Sequence, residues 1–551
     1  MDVQRLVLLF IFGFSMLLLW EGWEREHRPP PQAPSAPQSQ GVPVPAAPAA
    51  PGQPQTAAKP AAPAVPVAET PARGETVRVT TDLVVAEIDT LGATLKRLEL
   101  LRHKDTEDDK KNLDLLRPDH HYEAQSGIAG EGGPNHRTLW RLLPGERSLA
   151  QGADHVEVRF AAPGRDGLEV QKVYTFRRDS YVVDVALELK NTRAQPASTY
   201  AYFQLTHDGR PLTDSNTLAR SFGAQSYTGF ALYSKEKAFE KIPPGDLDKT
   251  KEHTARTDNG WLAFVQHYFV SAWLPHDGTR DYVMEKRQDG SYAGRVLIPV
   301  QVAAGGTASV TVPLYSGPQE KRRLEAAAPG LDLVVDYGWL TVIAWPLFWL
   351  LEKFHALSGN WGVAIILLTV TIKIIFFPLS AASYKSMAKM KLVTPRLQKI
   401  RETYGDDRQK QNQAMMDLYK TEKINPLGGC FPILVQIPVF IALYWVLLAA
   451  IELRHAPFML WIHDLSALDP YYVLPILMTA TMVLQTRMNP VPPDPVQAKV
   501  MQFMPFVFSI FFFFFPAGLV LYWLVNNILS IAQQWQITRM IERSKSAHAA
   551  R

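Results

Sequence analysis

The spacing of apolar and polar positions divides the chain into stretches of different period. From Val3 to Trp20 the residues are almost all apolar, with Arg5 near the start and Glu21, Trp23 and Glu24 beyond the end. This run exceeds the roughly 7–15 residues of a secretory signal core, and no small-x-small cleavage site follows it directly. Residues 1–22 are therefore expected to form an uncleaved signal-anchor helix. Residues 23–74 hold a Pro/Ala/Gln tract, PPPQAPSAPQSQGVPVPAAPAAPGQPQ and onward, with too few large apolar side chains to build a core. Such a tract is a tether, and about 44 residues at ~3.1 Å each would reach on the order of 100 Å. Between 75 and 325 the period becomes two, in runs such as VRVTTDLVVAEID, HVEVRFAA, LEVQKVYTFRR, YVVDVALELKN, VLIPVQV and ASVTVPLY. Alternation of this kind gives each strand one buried face, and Asn259-Gly260, Asp289-Gly290 and Gly305-Gly306 supply turns between strands. The pattern predicts a large antiparallel β-sandwich.

Beyond Gly330 the pattern becomes that of a membrane protein. In the 326–356 region, Leu331 to Phe354 is apolar but carries Asp332, Asp336, Pro346 and three tryptophans at 339, 345 and 349, which favours an interfacial helix over a span. Spans are predicted at about 357–382, 427–451, 471–487, 499–515 and 518–537, making six transmembrane helices with the anchor. The last five form a core over 357–540. The loop 383–424 holds Lys385, Lys389, Lys391, Arg396, Lys399, Arg401, Arg408, Lys410, Lys420 and Lys423, so the positive-inside rule makes it cytoplasmic. Parity then places the N-terminus and the basic 541–551 tail inside and the β region outside. Met390, Val393, Leu397 and Ile400 recur at helical spacing, Gly405-Asp406-Asp407 gives a turn, and Met415, Leu418 and Tyr419 form a second stripe. The loop is thus a helical hairpin. Its Met387, Met390, Met415 and Met416 either offer an adaptable surface to apolar client segments or simply hold the hairpin together.

Composition agrees with a soluble part joined to a membrane part, at 551 residues with 47% hydrophobic and 20% charged. A net charge of +4 is too small to imply a nucleic-acid substrate. The single cysteine, Cys430, excludes an intramolecular disulfide and a thiolate metal cluster. The histidines at 103, 120, 121, 136, 155, 207, 253 and 267 show neither metal-ligand spacing nor a nucleophile motif. Nothing in the sequence calls for a cofactor.

The chemistry concentrates on Lys373, inside the apolar run from Trp361 to Leu379. A lysine at the centre of a span costs roughly 2.5–3.5 kcal/mol, so it marks a functional site by default. Snorkelling toward the interface near Pro378 is the alternative. Thr369, Thr371, Gln436, Gln485, Asn526 and Asn527 also lie in predicted spans, and a water-filled intramembrane cavity would account for all of them together.

Four long motifs carry a resemblance: AASYKSMAKMKLVTPRLQKIRETYGDD, NPLGGCFPILVQIPVFIALYW, ELRHAPFMLWIHDLSALDPYYVLPILM and FPAGLVLYWLVNN. In this order they resemble the YidC/Oxa/Alb family of membrane-protein insertases, almost continuously from about 331 to 540, and the anchor, tether and β region match the architecture of its Gram-negative members. The resemblance implies a periplasmic antiparallel β-super-sandwich and an inner-membrane insertase and chaperone, with no cofactor, acting on nascent integral membrane proteins alone or with the Sec translocon. Ribosomes or targeting factors would meet the hairpin and tail, and membrane lipids the outer helices. It also implies that Lys373, Thr369 and Gln436 line a hydrophilic groove and that Tyr522 with Trp523 touch the client. Many relatives carry arginine in place of Lys373 and tyrosine in place of Trp523. Two other readings stay open at this stage: a secondary transporter, for which the core lacks repeated halves, and a membrane-anchored carbohydrate module, since a shared fold does not establish sugar chemistry.

Overall fold

The computed structural model describes residues 74–105, 108, 110–130, 133–165, 167–211, 227–276, 278–337, 340–405, 407–422, 431–489 and 495–549. The predicted anchor at 1–22, nearly all of the tether, and Cys430 lie outside them.

The alternating runs form two antiparallel sheets packed face to face. One sheet runs Thr76–Thr80, Val84–Asp89, Thr94–Lys104, Glu123–Ala129, Ala197–His207, Tyr292–Val302, Arg280–Lys286 and Glu252–Thr257, with Asn112–Leu116 paired off Thr94–Lys104. The other runs Glu240–Ile242, Gly229–Tyr233, Trp261–Gln266, Phe269–Trp273, Thr307–Pro318, Val182–Asn191, Leu168–Arg177, His155–Arg165 and Arg141–Leu142. Register follows from the alternation: opposite one another, Phe203 pairs with Val296, and both turn into the shared core with Phe264, Trp273 and Leu187. A slip of one residue would expose all of them.

The sheets are also pinned by a buried cation. Lys172, fully buried on Leu168–Arg177, donates to the carbonyls of Ser126 on the opposite sheet at 2.8 Å and of Gly92 at 2.6 Å and Ala93 at 3.2 Å in the turn between two of its strands. Its Nζ also lies 4.8 Å from the centre of the Trp140 ring. All three ammonium donors are thus used.

Helices follow the sandwich: α1 (Thr341–Ser358), α2 (Trp361–Ile375), α3 (Phe377–Tyr404), α4 (Arg408–Thr421), α5 (Phe431–Ala449), α6 (Val473–Met488), α7 (Pro495–Phe512) and α8 (Ala517–Ala549). The expected interfacial helix is α1, with Ala344, Phe348 and Leu351 buried on one face while Val342, Trp345 and Trp349 are exposed. Among the described residues no single helix is long and apolar enough to cross a membrane. The bent pair α2 and α3, with 66° between them, passes by length and composition, and Val435–Ala449, Val473–Met488 and Ala498–Phe512 are shorter apolar helices. The predicted 357–382 span is therefore broken at Phe376. Pro378, in the first turn of α3, cannot donate the hydrogen bond that a continuous helix needs. The same break makes α3 run unbroken into the first arm of the hairpin, whose arms meet through Val393, Leu397, Met390, Met415, Leu418 and Tyr419.

The two parts meet at the loop after α5. Ile451 is buried in the sandwich core, and His267 Nε2 donates to the Leu448 carbonyl at 3.0 Å.

Candidate functional site

Helix α2 is fixed at its start by Asn360, whose side-chain oxygen accepts from the Val363 N–H at 3.1 Å, an N-cap. The Asn360 amide then donates to the carbonyls of Pro457 at 3.2 Å and Phe458 at 3.0 Å, tying the helix to the loop before α6. Gly362 permits this contact, since a Cβ there would lie 2.0 Å from the Phe458 ring. Ile365, Leu368 and Ile372 bury the inward face in the cluster that also holds Leu443, Val446 and Val520. That geometry turns Thr369 and Lys373, one helical turn apart, toward α8.

Lys373 is 6% exposed. Its Nζ donates to Ser530 Oγ on α8 at 2.7 Å, and Ser530 Oγ donates in turn to the Asn526 carbonyl at 2.7 Å. Gln436 Nε2 donates to Asn526 Oδ1 at 2.9 Å, which brings α5 into the same network. No carboxylate among the described residues pairs with Lys373. Thr369 is buried, but its hydroxyl donates to the Ile365 carbonyl of its own helix at 2.7 Å. It contributes a wall to the site rather than a free donor.

Tyr522 is buried beside Gln436 and stacks on Phe440 with ring centres 6.1 Å apart. Trp523 meets Phe440 edge-on at 4.5 Å and Phe512 at 5.3 Å, and its indole N–H is buried without a partner. The structure thus brings Lys373, Gln436, Tyr522 and Trp523 together on α2, α5 and α8. The hairpin methionines lie elsewhere: Met390 and Met415 pack inside the hairpin, Met387 is half-buried, and Met416 is 52% exposed.

Sequence reasoning passed over Ser530 and Gln534. The signal was available, because Asn526, Ser530 and Gln534 repeat every four residues and form one polar stripe along α8.

In the β region, tertiary contact gathers His120, His207 and Asp208, with candidate ligand atoms within 4.8 Å of one another. Their polar atoms are already engaged. His207 Nδ1 accepts from the Gly209 N–H at 2.8 Å, His120 Nδ1 lies 3.1 Å from Asp208, and Arg210 Nε donates to Asp208 at 2.7 Å. Burial lowers the His207 imidazole to about 3, and with these bonds in place the group reads as a hydrogen-bonded turn.

A two-sheet sandwich joined to apolar helices that enclose a buried cation defines a class of membrane-associated protein with an extramembrane β domain. Residues 76–350 match the family described as "YidC periplasmic domain" and residues 353–545 the family described as "60Kd inner membrane protein". The chain is 53% identical over 567 residues to the membrane protein insertase YidC of Nitrosospira multiformis, covering 99% of this chain and 98% of the relative. It is 51% identical over 549 residues to the protein of the same name from Methylobacillus flagellatus, covering 99% and 98%. A crystal structure titled "Active YidC insertase crystal structure with the first transmembrane domain resolved" aligns over 84% of this chain and 92% of its own, at 18% identity and a TM-score of 0.38. The chain belongs to the YidC family of membrane protein insertases.

Proposed function

We propose that this protein inserts and helps fold integral proteins of the inner membrane, alone or with the Sec translocon, through a hydrophilic groove formed by α2, α5 and α8. In this reading it is a six-span protein with both termini cytoplasmic and the β domain periplasmic, and it performs no covalent chemistry. The domain division is the one read from the sequence, with the signal anchor at 1–22, the tether at 23–74 and the hairpin arms facing ribosomes or targeting factors.

The observation that carries the reading is a buried, uncompensated cation in a network of neutral amides and hydroxyls. Moving a polar segment through hydrocarbon is costly because its charges and backbone lose water. A polar recess holding one positive charge shortens that path and favours an acidic client tail. The apolar segment behind the tail partitions into lipid along Tyr522 and Trp523, and this step supplies the driving force. Thr369 and Gln436 shape the recess around Lys373, and membrane lipid receives the product.

The test is protease protection of matched acidic and neutral client tails in proteoliposomes carrying equal amounts of each variant. Lys373→Arg keeps the charge and is expected to stay close to wild type. Lys373→Ala is expected to lower acidic-tail insertion about tenfold and Lys373→Glu to lower it further, with much smaller effects on the neutral tail. Equal insertion of both tails by all three variants would sink the reading.

A further inference from the structure

Two lysines are buried among the described residues, and they are bonded in opposite ways. Lys172 in the sandwich uses all three N–H donors on carbonyls and cannot accept another partner without breaking a contact between the sheets. Lys373 makes one hydrogen bond among the described residues, to a neutral hydroxyl. An ammonium has three donors to place, so two of those on Lys373 meet no acceptor among the described residues and are open to water or to a client.

The hydroxyl is equally informative. Ser530 Oγ already donates its own proton to the Asn526 carbonyl and also pairs with the Tyr384 hydroxyl, so it offers Lys373 only a lone pair. Asn526 is held from the other side by Gln436. If Lys373 swings away, Ser530, Asn526 and Gln436 keep their remaining bonds and no charge is stranded. One residue beyond Asn526, the Asn527 side-chain nitrogen is buried without a partner, and so is the Gln534 side-chain oxygen further along the same helix.

We infer that Ser530 is the resting partner of Lys373, a neutral placeholder that the carboxylate of an acidic translocated segment displaces. The inference rests on the insertase reading above and adds the residue with which the incoming carboxylate competes. A charge-assisted bond to carboxylate is roughly twice as strong as a neutral one, and more so away from bulk water. Exchange of the hydroxyl for a client carboxylate is therefore downhill. A permanent carboxylate in place of Ser530 would instead hold Lys373 shut.

The readout is the ratio of acidic-tail to neutral-tail insertion in the proteoliposome assay. Ser530→Asp is expected to lower this ratio about five-fold, toward that of Lys373→Ala. Ser530→Ala, which removes the competitor, is expected to raise it about two-fold, the opposite sign to a serine that is needed to position the lysine. In a Lys373→Ala background, Ser530→Ala is expected to raise it no further. If Ser530→Asp fails to fold, the sign of Ser530→Ala alone decides. A ratio that falls or does not move in Ser530→Ala, while Lys373→Ala lowers it, overturns the placeholder and leaves the groove standing. A ratio unmoved by Lys373→Ala itself overturns the groove reading instead.

Discussion

A buried side chain states its role through what satisfies it. The imidazoles of His103 and His267 are lowered to about 4, and those of His136 and His207 to about 3, in each case mainly by burial. Each is neutral in the folded and unfolded chain above the ordinary value of 6.5. Below it, the unfolded chain takes up protons that the folded chain refuses, so stability falls as pH drops from about 6.5 toward 4. The urea midpoint of the β domain, followed in the intact detergent-solubilised protein, is expected to fall between pH 7 and pH 5. His207→Gln is expected to lower the midpoint at pH 7 and to flatten that fall, although Asp208 beside His207 acts in the opposite direction to burial. A steeper fall in the variant would show that His207 is not one of the groups responsible. At this scale Lys373 was legible from sequence because a lone charge in an apolar run has no inexpensive explanation. Ser530 was legible only as one member of the 526/530/534 stripe, since a serine hydroxyl can always bond back to its own helix, as Thr369 does.

At the scale of elements, alternation was enough to give the strands, because a period of two permits only one buried face. What joins the sheets was invisible. Lys172 falls in step with Leu168, Val170, Tyr174 and Phe176 on the inward face of LEVQKVYTFRR, but nothing in that strand says which carbonyls a lysine there would meet. Lys172→Met removes the donor that three buried carbonyls share, although that of Ala93 still accepts from the Tyr174 hydroxyl at 2.6 Å, and is expected to cost about 3 kcal/mol in urea unfolding. A loss below about 1 kcal/mol would mean that water replaces the ammonium at those carbonyls. The bend between α2 and α3 was half legible: Pro378 was plain, but a window of hydropathy treats a proline as one more residue in a span. The geometry turns it into a helix start and sends α3 away at 66°.

Over the whole molecule, the groove residues lie in α2, α5 and α8, while the sandwich touches the core through the Leu448 and Ile451 region. Deleting about 80–310, leaving the tether and α1, is expected to retain substantial insertion of a small single-span client, with some loss of yield because Ile451 is uncovered. A truncated protein present in the membrane at normal level yet wholly inactive would refute this division of labour. Topology has its own check in a Cys430→Ser background. Single cysteines replacing the exposed Ser148, Ser386 and Ser546 are expected to label from outside, inside and inside respectively. Labelling of Ser386→Cys by an impermeant reagent in intact spheroplasts would reverse the orientation.

The sequence by itself determined the order of parts, the strand faces, the basic hairpin and the one charge set among apolar residues. These depend on composition and short-range period, which hold whatever the rest of the chain does. Only the tertiary structure decided which residues satisfy that charge. Ser530 follows Lys373 by 157 residues, and Gln436 precedes Asn526 by 90. Their meeting depends on how α2, α5 and α8 pack, down to Gly362 allowing the Phe458 ring against α2, and hydrogen-bond partners so far apart leave no local period to read.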